Sequence, residues 1–159
     1  MQQVKSDTAC IYLDQNNIYP IHKKIDYGLL RSYFDVLYNV IKATSFNSID
    51  TKNQAQMKFV VYMAHNKWKS DVQDLAIGSN VDNRITTNLL NDSNVEKHNW
   101  VVLISGDGGF GYPLEWLMRL GYKIHIVGCR DNISVQLLQI ADRLTYLEDI
   151  PDIILSQEK

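Results

Sequence analysis

Residues 100–110, WVVLISGDGGF, limit what this chain can fold into more than any other stretch. Val101-Val102-Leu103-Ile104 is a continuous apolar run, the pattern of a strand buried on both faces, as in parallel sheets. The run stops at Ser105-Gly106-Asp107-Gly108-Gly109, which cannot extend a strand. Pro113 then suits the first turn of a helix with apolar positions Leu114, Leu117, Met118 and Leu120. The segment therefore delivers a carboxylate, Asp107, to the C-terminal end of a central strand, where open α/β sheets place their ligands.

The rest of the chain is read around that strand. Residues 9–13 (ACIYL) form a first apolar strand that ends at Asp14-Gln15-Asn16-Asn17. The positions Leu29, Leu30, Tyr33, Phe34, Leu37, Val40 and Ile41 recur at helical spacing. Residues 44–56 read as a polar loop, and 58–64 (KFVVYMA) as a second buried strand running into the basic loop His65-Asn66-Lys67-Trp68-Lys69. Ser70 reads as the N-cap of a helix reaching Leu90, with Asp71 in its first turn. Asp74 lies one turn above Asp71 on that helix. Asp82 falls roughly 16 Å further along the axis, too far to share an ion, and is assigned to the surface or to a second site. A strand over 123–127, a helix capped by Ser134 and a short strand over 144–147 complete the pattern. Alternating strands and helices predict an α/β sandwich of three layers, with a central, mostly parallel β-sheet between helices. Residues 1–150 make one domain and 151–159 a C-terminal tail.

A chain of 159 residues is long enough for one core, and its 45% apolar content is that of a globular protein. The net charge of −2 provides no general attraction to nucleic acid, so any such binding needs a local patch. No apolar run is long enough for a bilayer, and the first residues, MQQVKSDTA, lack the apolar core of a signal peptide. Cys10 and Cys129 read as reduced core thiols. The expected location is the cytoplasm, with no membrane association.

On this reading the C-terminal edge of the sheet receives Asp14, the loop from His65 to Lys69 with Asp71, then Asp107, then Cys129 and Arg130. Three carboxylates at one edge repel one another and are costly to bury unpartnered. A hard divalent cation relieves that cost, because Mg²⁺ or Mn²⁺ takes oxygen ligands and can activate water beside a phosphoryl group. The basic residues Lys67, Lys69 and Arg130, with His22, Lys23 and Lys24 nearby, are candidates for holding phosphates, and Trp68 for stacking a base or packing under its loop.

The same residues resemble a known family. Asp14-Gln-Asn-Asn17 resembles the D-x-x-N of the NYN domain family, and Lys67-x-x-x-Asp71-Val72 resembles the start of its central acidic helix. Ser105-Gly-Asp107-Gly-Gly-Phe110 is similar to its S-G-D-x-D-F signature, and Ser134-x-x-Leu137 with Ala141-Asp142 to its C-terminal motif. The likeness runs along nearly the whole chain and is nearest to the LabA-like branch. It implies a PIN-like fold and Mg²⁺- or Mn²⁺-dependent endoribonuclease activity on single-stranded RNA. It assigns metal-ligand and catalytic roles to Asp14, Asp71 and Asp107, and a supporting catalytic role to Asn17, with Ser105 orienting ligand or substrate. Two positions depart from the pattern: Gly109 stands where the second acid of S-G-D-x-D-F belongs, and an acid expected further along the central helix falls near Gly78. These departures leave a second reading, a catalytically impaired NYN module that binds RNA or a protein partner. A homo-oligomer is compatible with either. Asp142 is read as structural, at a helix–strand junction.

Gly106-x-Gly108-x-x-Gly111 also fits the outline of a dinucleotide-binding turn, with Asp131 further on, but Asp107 would then face a pyrophosphate. Asn16 replaces the second Asp that a haloacid-dehalogenase-like phosphatase needs, and no P-loop motif occurs. The four histidines show no zinc spacing, and His125, inside a strand, reads as a core or partner-facing residue.

Overall fold

The computed structural model describes residues 7–18, 24–75 and 80–155. Six strands form one parallel sheet in the order β3-β2-β1-β4-β5-β6: β1 (Thr8–Asp14), β2 (Asn39–Ile49), β3 (Lys69–Asp74), β4 (Trp100–Ile104), β5 (Lys123–Gly128) and β6 (Arg143–Tyr146). The first three strands build outward from β1 in one direction and the last three in the other. The strand order therefore reverses between β1 and β4, and a crevice at such a reversal is the usual ligand site of an open α/β sheet.

The alternation of side chains along β1 and β4 divides the core in two. Ala9, Ile11, Leu13, Val102 and Ile104 face one layer with α1 (Tyr27–Leu37) and α2 (Gln54–His65). Cys10, Tyr12, Val101 and Leu103 face the other, with α3 (Val81–Val95), α4 (Gly111–Arg119) and α5 (Val135–Ile140). The layered α/β expectation is met, and the sheet is all parallel rather than mostly so. His125 belongs to the core: its Nδ1 lies 2.9 Å from Tyr38 Oη and its Nε2 2.8 Å from Thr145 Oγ1, and burial lowers its pKa to about 3. Asp142 binds the Ile124 amide at 2.9 Å and holds the junction before β6. Residues 152–155 pack back on the domain through buried Ile153 and an antiparallel bridge from Ile154 to Ile25. Among the described residues no helix is long and apolar enough to cross a membrane.

The middle of the chain differs from its sequence reading. Helix α1 ends at Leu37, and Val40 and Ile41 begin β2. Residues 44–56, read as a loop, contain most of β2, whose Ala43, Thr44, Ser45, Phe46 and Asn47 are all buried. A parallel strand covered on both faces needs small or apolar side chains, and the polar ones here disguise it. The segment KFVVYMA is not a strand but the body of α2, started by Asn53, whose side chain accepts from Ala55 N and Gln56 N. Its β-branched content is misleading because Val61 faces solvent while Met63 is buried and Phe59, one turn earlier, packs on the core. Two consequences follow for function. The link from Asn66 to Trp68 leads into β3, so it lies at that strand's N-terminal end, and Asp71 lies inside β3 rather than on a helix.

Candidate active site

The β1–β4 crevice carries the acids. Asp14 is the last residue of β1 and is 2% exposed. Its Oδ2 accepts from Ser105 Oγ at 3.0 Å, and its Oδ1 is buried with no hydrogen-bond partner. Ser105 Oγ also accepts from the amide of Asp107 at 3.2 Å, so one hydroxyl aligns the two acidic segments. Ser105 is completely buried, which makes it a positioning group rather than a surface for substrate. Asn17 clamps the same junction: its Oδ1 accepts from Gly106 N at 2.6 Å and its carbonyl from Asn132 Nδ2 at 3.3 Å. Gly106 is required there, since a Cβ would stand 1.6 Å from the Asn132 carbonyl oxygen.

Asp107 leaves the end of β4 and caps the short turn Gly108–Phe110, with Oδ1 accepting from Gly109 N at 2.9 Å. The third acid of the cluster is Asp82, in the first turn of α3. Burial raises its pKa, and the charge of Asp107 and a hydrogen bond between the two carboxyls raise it further. Burial pushes Asp14 up to about 6 against the opposing Ser105 hydrogen bond, with the charges of Asp82 and Asp107 adding to the rise. Asp14, Asp82 and Asp107 thus form one electrostatic unit.

Asp71 is elsewhere. Its register partner on β2 is Phe46, which in turn pairs with Asp14, so two strand spacings, about 10 Å, separate the two acids. Asp71 is ion-paired with Arg84 at 3.0 Å, and that guanidinium also reaches Gln73 Oε1 and the carbonyls of Asn47 and Asp71. Arg84 satisfies Asp71 and ties β3 to α3. Asp74, three residues along the strand, points to the opposite face and accepts from Thr51 Oγ1 at 2.7 Å. The sequence reading missed Asp82 because it joined β3 and α3 into one helix. The available signal was Val81, Ile85 and Leu89, a buried i, i+4, i+8 stripe that starts a separate helix after Gly78.

The basic residues are also placed differently. Lys67 has a left-handed backbone, φ 65°, and Lys69 opens β3, level with Thr44 and so below the acidic edge. Trp68 is buried, its Nε1 donating to the Tyr27 carbonyl at 3.0 Å, so it packs rather than stacks on a ligand. Arg130 does stand beyond the end of β5, but it pairs with Asp149 and lies over the Tyr146 ring, 4.4 Å from its centroid. Lys24 is exposed and binds the Leu155 amide through its carbonyl; His22 and Lys23 lie outside the described residues.

The acid cluster suits a hard cation. Asp14 Oδ1 is a buried acceptor without a donor, an expensive state unless a cation or a proton meets it. Among the described residues, no three His, Cys, Asp or Glu side chains already stand in a closed metal-binding arrangement. The Asp82 and Asp107 carboxyls face one another closely enough to hydrogen-bond. The dinucleotide reading loses its basis: with this strand order the phosphates would sit on the first βα turn, which here is Asp14-Gln15-Asn16-Asn17, without a glycine.

The NYN domain model matches residues 8–148, from β1 through the turn after β6. The chain belongs to the NYN domain family. NYN domains lie within the PIN-like nuclease superfamily, whose members generally depend on a divalent metal. A crystal structure of a protein of unknown function from Vibrio parahaemolyticus has the same fold, with a TM-score of 0.81 at 20% identity over 98% of this chain and 100% of that one. A comparison with curated proteins gives no match.

Proposed function

We propose that this NYN domain is a metal-dependent endoribonuclease that hydrolyses phosphodiester bonds in single-stranded RNA, with Asp14, Asp82 and Asp107 as the acidic centre. The observation that carries the reading is the unpartnered, buried Oδ1 of Asp14 beside two further carboxylates at the β1–β4 reversal. Asp14, Asp82 and Asp107 would hold Mg²⁺ or Mn²⁺, which would supply Lewis acidity toward the attacking water and the phosphoryl oxygens. Ser105 fixes the Asp14 carboxylate through Oδ2 and leaves Oδ1 for the ligand. Asn17 locks the two loops that carry Asp14 and Asp107, and Arg130 is a phosphate contact once it leaves Asp149. The LabA-like branch is the variant of the family whose motifs the chain resembles, and the cytoplasm the compartment that its unpaired cysteines suit.

Gly109 supports the second reading, an impaired module that binds RNA or a protein, because it withholds a carboxylate beside Asp107. A Cβ at Gly109 would lie 3.2 Å from Asp107 Oδ1, so a side chain there reaches the cluster if Asp107 shifts slightly. Cleavage of an unstructured RNA in Mn²⁺ by the natural protein and by Gly109→Asp separates the two readings. Slow cleavage that increases about tenfold or more in Gly109→Asp is the expected result. RNA binding without cleavage in both proteins establishes the impaired module.

A further inference from the structure

We propose that the cleft on the α1–α2 side of the β1–β2 edge is a nucleobase subsite, which holds one unpaired base of the RNA while its phosphate lies at the acids. The inference rests on the ribonuclease reading and adds the element that recognises substrate. The cleft has a volume of about 650 Å³ and opens beside the residues that directly follow Asp14. A cavity of this size suits a small planar ligand.

Its walls have the chemistry that a base requires. Tyr27, Phe59 and Tyr62 contribute aromatic surface, with Phe59 and Tyr62 ring centroids 6.1 Å apart and Tyr27 edge-on to both. Gln15, Asn16 and Asn47 contribute amides. No Lys, Arg, Asp or Glu is among the described lining residues, so the cleft offers nothing to a phosphate and no charge to a peptide side chain. Unpaired bases are bound by this combination: stacking on aromatic rings and hydrogen bonds to the base edge.

Asn47 makes the assignment specific. It is buried on β2, and its Oδ1 has no hydrogen-bond partner. A buried amide oxygen without a donor destabilises the empty fold, and an N–H on a base edge would supply that donor. Gln15 is not available for the same task, since its Nε2 donates to Ser45 Oγ at 3.1 Å and its Oε1 accepts from Tyr27 Oη at 3.0 Å. That network fixes the floor of the cleft. Asp14 and Gln15 are consecutive, and their side chains leave opposite faces of the sheet edge. A strand of RNA crossing the edge would thus place its phosphate on the α3 side and its base on the α2 side.

The test uses a short single-stranded RNA with one 2-aminopurine, titrated in EDTA so that neither metal binding nor cleavage contributes. Stacking in the cleft quenches the probe. Wild type should quench it, and Tyr62→Ala and Phe59→Leu should each weaken binding about tenfold. Asn47→Leu, which removes the orphaned oxygen at similar volume, should weaken binding while its melting temperature holds or rises. That pattern is not expected of a merely structural Asn47. Quenching with no cleavage on adding Mn²⁺ would keep the subsite and remove the ribonuclease reading. Mn²⁺-dependent cleavage with quenching and affinity unchanged in all three folded variants would overturn the subsite and leave the ribonuclease reading intact.

Discussion

Asp14→Asn is expected to reduce Mn²⁺-dependent RNA cleavage by about a hundredfold or more and, without metal, to make the protein more stable above neutral pH. The first effect follows from geometry, since Asp14 is the most buried of the three acids and the only one with an unpartnered buried oxygen. Losing a group that organises charge at the reacting centre typically costs two to three orders of magnitude in rate. The second effect follows from the raised pKa. Burial, with Asp82 and Asp107, lifts Asp14 from 3.8 to about 6. The folded state therefore holds this proton more tightly than the unfolded chain. Its contribution to stability is fully present below pH 3.8 and is lost as pH rises through about 6. The loss is on the order of 3 kcal/mol if the whole shift is expressed. His125, with its pKa lowered to about 3, acts in the opposite direction and weakens the fold as pH falls below 6.5. The Asp14 effect is therefore read as the difference between wild type and Asp14→Asn across pH 4–7 in EDTA. A variant that melts below wild type at every pH would mark Asp14 as purely structural.

Trp68→Ala should lower stability by about 3–5 kcal/mol, the usual cost of deleting a large buried aromatic side chain. Trp68 is 1% exposed and packs in the α1–α2 layer with Tyr27, Leu30 and Met63. The substitution also strips the Tyr27 carbonyl of its donor. For a domain of this size the melting temperature should fall on the order of 10 °C. Trp68→Phe, which retains most of the volume, should melt well above Trp68→Ala and leave RNA affinity unchanged. A large loss of RNA affinity in a Trp68→Phe protein of near-wild-type stability would instead show that the indole reaches the ligand.

The sequence was legible where strands are purely apolar. Residues 9–13 and 101–104 could only be central strands, and they carry Asp14 and Asp107 to one crevice. The β2–α2–β3 segment was not legible, for two physical reasons. Strand β2 is buried through small and polar residues, of which Ser45 accepts a hydrogen bond from Gln15, so no apolar run marks it. Helix α2 is rich in β-branched and aromatic residues because it covers the sheet with one face, so its composition imitates a strand. From those two misreadings the rest follows: Lys67 and Lys69 lie below the acidic edge, Asp71 stands level with Asp14 but two strands away, and Asp82, kept apart in the sequence reading, approaches Asp107. The family resemblance points to Asp14 and Asp107, which the structure brings to one crevice, while a motif read by spacing cannot distinguish an acid on β3 from one on α3.

The most direct test of the acidic centre is Mn²⁺ binding by calorimetry to wild type, Asp82→Asn and Asp71→Asn at pH 7.5. Asp82→Asn should weaken binding at least tenfold, while Asp71→Asn, away from the β1–β4 crevice, should bind Mn²⁺ as wild type does and show its effect only in stability through the unpaired Arg84. Wild-type affinity in Asp82→Asn together with lost binding in Asp71→Asn would contradict the account.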